Sequence, residues 1–154
     1  MSRAFTRESD EAPESLPERP VSAHPNLVTP AGLAAIEAQV RDLESERQAA
    51  RAAGDAAQRA RVERELRYWT QRRATARLVP PATAPERVRF GVRVTLVTGA
   101  GAEQIFRLVG EDEADAARGL LSWVSPLAQA LLGRGPGDTV SFQTGELEII
   151  RVEP

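Results

Sequence analysis

Cysteine is absent from this chain of 154 residues, which excludes disulfides and any zinc site built on thiolates. Lysine is absent as well: all 20 basic residues are arginine, a bias that matches a GC-rich genome and by itself marks no binding site. The single histidine, His24, cannot make a multi-histidine metal site and reads as a solvated turn residue. No apolar run approaches the roughly 20 residues that cross a bilayer, and the first residues lack the apolar core of a secretory signal. A soluble cytoplasmic protein is the expectation. No Gly-x-Ser-x-Gly, Cys/His pair or phosphate loop occurs, so no self-contained active site is expected. A net charge of −2 gives no global reason for nucleic-acid binding.

What is present starts with two rows of apolar residues at heptad-like spacing. Leu33, Ile36, Val40 and Leu43 form one, and Val62, Leu66 and Trp69 form the other, with Arg73 and Ala76 extending it. Between them lies Ala52-Ala53-Gly54-Asp55-Ala56-Ala57-Gln58. Gly54 suits the position just past a helix end, where φ turns positive, and Asp55 can cap the next helix. The expectation is an antiparallel helical hairpin over residues 27–79. Thr29-Pro30 supplies a start signal for the first helix, which ends near Ala53; the second runs from Ala56 to Leu78. Arms of about 23 residues project roughly 35 Å. The second arm carries Arg59, Arg61, Arg64, Arg67, Arg72, Arg73 and Arg77 against Glu63 and Glu65. Intrahelical pairing accounts for part of this excess, and the remainder leaves one flank basic.

Residues 1–26, rich in Glu, Asp and Pro, read as a structureless tail, with Ser2-Arg3-Ala4-Phe5 as a conceivable docking element. A Pro-rich linker occupies 80–87. After it the period changes to two, with Val88, Phe90, Val92, Val94 and Leu96 alternating with polar residues or glycine as in a half-buried strand. A turn at Gly99-Ala100-Gly101, a return strand over 103–109, an extended piece at 120–124, a short helix opened by Ser125-Pro126 and a final hairpin complete the module 88–154. The fold class is α+β: a helical hairpin followed by a small antiparallel sheet crossed by one short helix. The loop Glu111-Asp112-Glu113-Ala114-Asp115 crowds four acidic groups, which are more often solvated than catalytic. Trp69 reads as seam packing, and Trp123 as core or partner-facing.

Val88-Arg89-Phe90-Gly91, Val109 to Asp115, Ser125 to Gly133 and Gly137-Asp138-Thr139-Val140 together resemble the C-terminal domain of the GreA/GreB transcript-cleavage factors. The resemblance implies an FKBP-like C-terminal domain that docks on bacterial RNA polymerase at its secondary channel. It also implies a coiled coil that enters the channel. Glu111, Asp112, Glu113, Asp115, Ser125, Pro126 and Leu127 are then the docking candidates, and Arg59, Arg61 and Arg64 face channel walls or RNA. In the family two acidic tip residues are thought to hold a Mg²⁺ shared with the polymerase active centre. Asp55 matches the first, whereas Gln58 stands where the second belongs, and the arms are shorter than the family's. A neutral amide holds a hard cation less well than a carboxylate. The implied activity is regulation of elongation without an enzymatic activity or stably bound metal of its own, by a monomer that meets nucleic acid only through the elongation complex. A non-cleaving competitor like the shorter-armed Rnk proteins is the alternative. An FKBP-like prolyl isomerase or a dimerising coiled coil are readings of other classes.

Overall fold

The structure, a computed structural model, describes residues 16–143 and 145–154. Expectations for residues 1–15, including the Ser2–Phe5 element, lie outside the described residues. In chain order the elements are β1 (Leu27–Val28), α1 (Pro30–Ala52), α2 (Ala56–Thr75), β2 (Arg77–Leu78), β3 (Arg93–Thr98), β4 (Glu103–Val109), β5 (Leu120–Ser122), α3 (Pro126–Leu131), β6 (Thr139–Phe142) and β7 (Gly145–Glu153).

Both hairpin helices begin at capped ends. Thr29 accepts from the Gly32 amide at 2.9 Å and Pro30 follows at the first helical position, where a missing N–H costs nothing. Val40, Leu43, Val62 and Leu66 close the seam with half-buried Trp69 beside them. The second helix stops at Thr75, not Leu78. Arg77 and Leu78 instead pair in parallel with Leu27 and Val28, so a two-stranded clip ties the hairpin's entry to its exit. The apolar row also departs from expectation near its end, since Arg72 is buried and Arg73 exposed.

The C-terminal module is an α+β unit of five strands in the order β5-β4-β3-β7-β6. β3 pairs antiparallel with β4 and β7, and β6 with β7, as alternation and turn chemistry suggest. β5, however, runs parallel to β4 through Arg107↔Leu120 to Val109↔Ser122, so the sheet is mixed and not purely antiparallel. A three-residue 3₁₀ turn at Ala116–Arg118 reverses the chain to permit this. The expected strand from Val88 starts only at Arg93, because Gly91 at φ +87° bends the entry. Val88 and Val92 are buried all the same. Here the backbone of Val88 bonds the loop after α3, through Arg134 O at 2.7 Å and Gly133 N at 2.9 Å. Val94, Leu96, Leu108, Leu131 and Ile149 are fully buried and form the centre of the module's core.

Residues 16–26 also differ from the expected tail. They lie along α2 as an extended strap, held by contacts to Arg64, Glu65, Arg67 and the end of α2. A segment poor in apolar residues is held here by charge and hydrogen bonding.

Candidate functional site

Two regions carry the expected functional residues: the hairpin tip and the hairpin base.

At the tip, Gly54 takes φ +66° and lets the Asp55 amide reach back to Ala50 O at 3.0 Å. Asp55 is exposed, and its Oδ1 accepts from the Gln58 amide at 3.0 Å, which makes it the N-cap of α2. Gln58 turns its amide oxygen toward Arg61, accepting from Nε at 3.2 Å and Nη2 at 2.8 Å. The tip therefore presents one carboxylate beside an amide already engaged by a guanidinium. Among the described residues no group of three or more His, Cys, Asp or Glu side chains converges as a metal site. A cation at Asp55 needs most of its ligands from elsewhere. Arg59 is exposed one turn from Glu63, at 3.9 Å, and Arg51 approaches the same Glu63 from α1 at 3.6 Å. Of the three arginines expected on this flank, Arg59 and Arg61 are exposed, whereas Arg64 is half-buried and donates from Nε to Pro17 O at 2.6 Å.

At the base, the acidic loop turns inward. Arg72, only 2% exposed, donates from Nε to Asp112 Oδ2 at 2.5 Å, and Tyr68 donates its hydroxyl to Asp112 Oδ1 at 2.5 Å. Glu111 stands 3.9 Å from Arg72, and Glu113 accepts from the Thr29 hydroxyl at 2.6 Å. Asp115 caps the 3₁₀ turn through Ala117 N at 3.1 Å. Three of the docking candidates on this loop, Glu111, Asp112 and Glu113, thus join the β module to the hairpin, and Asp115 stays local. Ser125 caps α3 through Ala128 N at 3.3 Å, Pro126 is exposed, and Leu127 lies in the core. Sequence reasoning missed Arg72, Tyr68, Asn26 and Arg19. A signal existed for two of them: Tyr68 and Arg72 are four apart on the polar side of a helix, a spacing that puts them on one face.

Burial, and then the hydrogen bond to Asp112, push the Tyr68 phenol up to about 12. Its protonated form is favoured in the fold, so this contribution to stability is full below about pH 10 and lost as pH rises toward 12. With a single tyrosine, no lysine and no cysteine, Tyr68 is the one side chain that titrates in that window. A tyrosinate absorbance titration is expected to show one transition near pH 12, displaced to about pH 10 in urea. A native midpoint near 10 would contradict the Tyr68–Asp112 bond.

A helical hairpin with a lone exposed carboxylate at its tip, carried on an α+β module, defines a probe on a base. The family model described as "Transcription elongation factor, GreA/GreB, C-term" matches residues 82–154. Transcription elongation factor GreA of Ruegeria pomeroyi is 35% identical over 136 residues, covering 76% of this chain and 87% of that protein. Transcription elongation factor GreB of Neisseria meningitidis serogroup A is 40% identical over 98 residues, a match that spans 60% of either chain. Among solved structures, GreA/GreB from Nitrosomonas europaea aligns with 83% of this chain at 20% identity and a TM-score of 0.43. The chain belongs to the GreA/GreB family of transcription elongation factors.

Proposed function

We propose that this protein binds bacterial RNA polymerase, passes its hairpin into the secondary channel, and regulates elongation from there, in the cytoplasm. The observation that carries this reading is the exposed Asp55 at the end of a hairpin whose helices are 23 and 20 residues long. At 1.5 Å per residue those arms reach about 30 Å from the base, far enough to deliver a carboxylate to a recessed centre. There Asp55 would share a Mg²⁺ with the polymerase, and Arg59 and Arg61 would line channel walls or RNA. In this reading the chemistry would be the polymerase's own, with Asp55 lending one carboxylate to its metal centre.

A second reading is favoured by Gln58, whose amide oxygen is taken by Arg61. With one carboxylate in place of two, the tip would occupy the centre without driving hydrolysis and compete with active cleavage factors. Backtracked elongation complexes decide between the readings. Cleavage that is lost in Asp55→Asn supports an active factor. Inhibition of an added cleavage factor without cleavage supports the competitor, and Gln58→Glu is then expected to raise cleavage. Absence of polymerase binding overturns both. Asn keeps the cap, so Asp55→Asn leaves stability nearly unchanged, whereas Asp55→Ala costs about 1 kcal/mol in urea unfolding.

A further inference from the structure

The strap over residues 16–26 is built in two parts of different strength. At its inner end Asn26, 5% exposed, donates from Nδ2 to Arg72 O at 2.7 Å and to Thr75 Oγ1 at 3.2 Å. At its outer end Glu18 takes both Arg67 donors in a fork at 2.6 and 2.9 Å, and Pro17 lends its carbonyl to Arg64. That fork lowers the Glu18 carboxyl below its usual range and raises Arg67. Arg19 lies 3.9 Å over the Tyr68 ring and binds Glu65 at 2.8 Å. The inner end is buried, but the outer contacts are in water, with the Glu18 and Arg67 side chains 65% and 54% exposed. Exposed pairs of this kind are weak and salt-screened, so the outer end can lift while Asn26 holds.

Arg64 and Arg67 are one turn apart on a single face of α2, and the strap offers them a carbonyl oxygen and a two-oxygen anion. A phosphodiester backbone offers the same acceptors with charge on both, a stronger partner for guanidinium. We propose that the strap is an intramolecular cover over the Arg64–Arg67 flank, and that single-stranded RNA backbone binds this flank by displacing the outer strap while Asn26 stays anchored. The inference rests on the RNA-facing reading of the hairpin and adds its regulation.

The absence of native cysteine allows two spin labels, at Leu16→Cys and Ala60→Cys, which line one recess of about 380 Å³. A short distance is expected in the free full chain, joined by a longer population on adding a fluorescein-labelled oligouridylate. In parallel, Glu18→Gln is expected to bind the oligouridylate about two- to fivefold tighter than wild type at low salt. Glu148→Gln, an equal change in charge on an exposed site of the β module, is expected to leave affinity nearly unaltered. Oligouridylate that does not bind, that binds with the label distance unchanged, or that binds Glu18→Gln no tighter than Glu148→Gln overturns the strap inference. Loss of polymerase binding overturns the proposed function alone, because the oligouridylate arms contain no polymerase.

Discussion

Replacing Arg72 with Ala is expected to destabilise the protein by about 3–5 kcal/mol, the range for removing one partner of a buried ion pair. Arg72 is 2% exposed and the Asp112 side chain 9%, so neither charge retains much water. Removing the guanidinium leaves the Asp112 carboxylate with the Tyr68 hydroxyl as its remaining hydrogen-bond donor of the pair. The Asn26 bond to the Arg72 carbonyl is a main-chain one and is retained, so the loss reports the side-chain pair. Urea unfolding of Arg72→Ala, Asp112→Ala and the double variant measures the pair: the double is expected to cost much less than the sum of the singles. A loss below about 1 kcal/mol for Arg72→Ala would show that the pair behaves as a surface contact. Because Arg72 lies on α2 and Asp112 on the β4–β5 connection, the same variant is expected to loosen the hairpin from its base.

Val40→Asp is expected to unfold the hairpin while the β module persists. Val40 is fully buried, at the centre of a cluster with Leu43, Val62 and Leu66. Substitution forfeits about 1.5–3 kcal/mol of burial and adds several more for an unpaired carboxylate in an apolar seam. Most of the stability of these helices, 23 and 20 residues long, comes from packing their apolar faces together. Their loss removes most of the helical circular dichroism, since α3 has only six residues. Amide protection in β3, β4 and β7 is expected to survive, because the module has a separate core around Leu96, Leu108 and Ile149. Retained helicity in Val40→Asp would mean that the base contacts alone hold the hairpin.

Legibility followed the range of the interactions. The hairpin, its tip and the caps at Thr29, Asp55 and Ser125 rest on bonds three or four residues long, such as Asp55 Oδ1 to the Gln58 amide. The β3–β4 and β6–β7 hairpins likewise declare themselves by alternation broken at turn residues. Parallel pairing left no such mark. β1 and β2 are two residues each and β5 is three, too short for a period, and their partners lie 13 or 50 residues away. The start of β3 was misplaced because alternation records burial, and Val88 and Val92 are buried on a bend as well as they would be on a strand.

The candidate site divides in the same way. Asp55 and Gln58 at the tip follow from sequence, because a helix–Gly–Asp–helix string has one geometry and its end must be exposed. The acidic loop does not. Four carboxylates in a row look solvated until Arg72, 40 residues upstream, is brought against Asp112. The strap is the strongest case, since its composition describes a chain unable to bury a core, while its contacts with α2 span 46 to 49 residues. Local spacing determined by itself the α+β class, the probe and the carboxylate at its end. Only the tertiary structure decided which charges face water and which are held inside, because the energy of a charge depends on the groups packed around it and not on its neighbours in the chain.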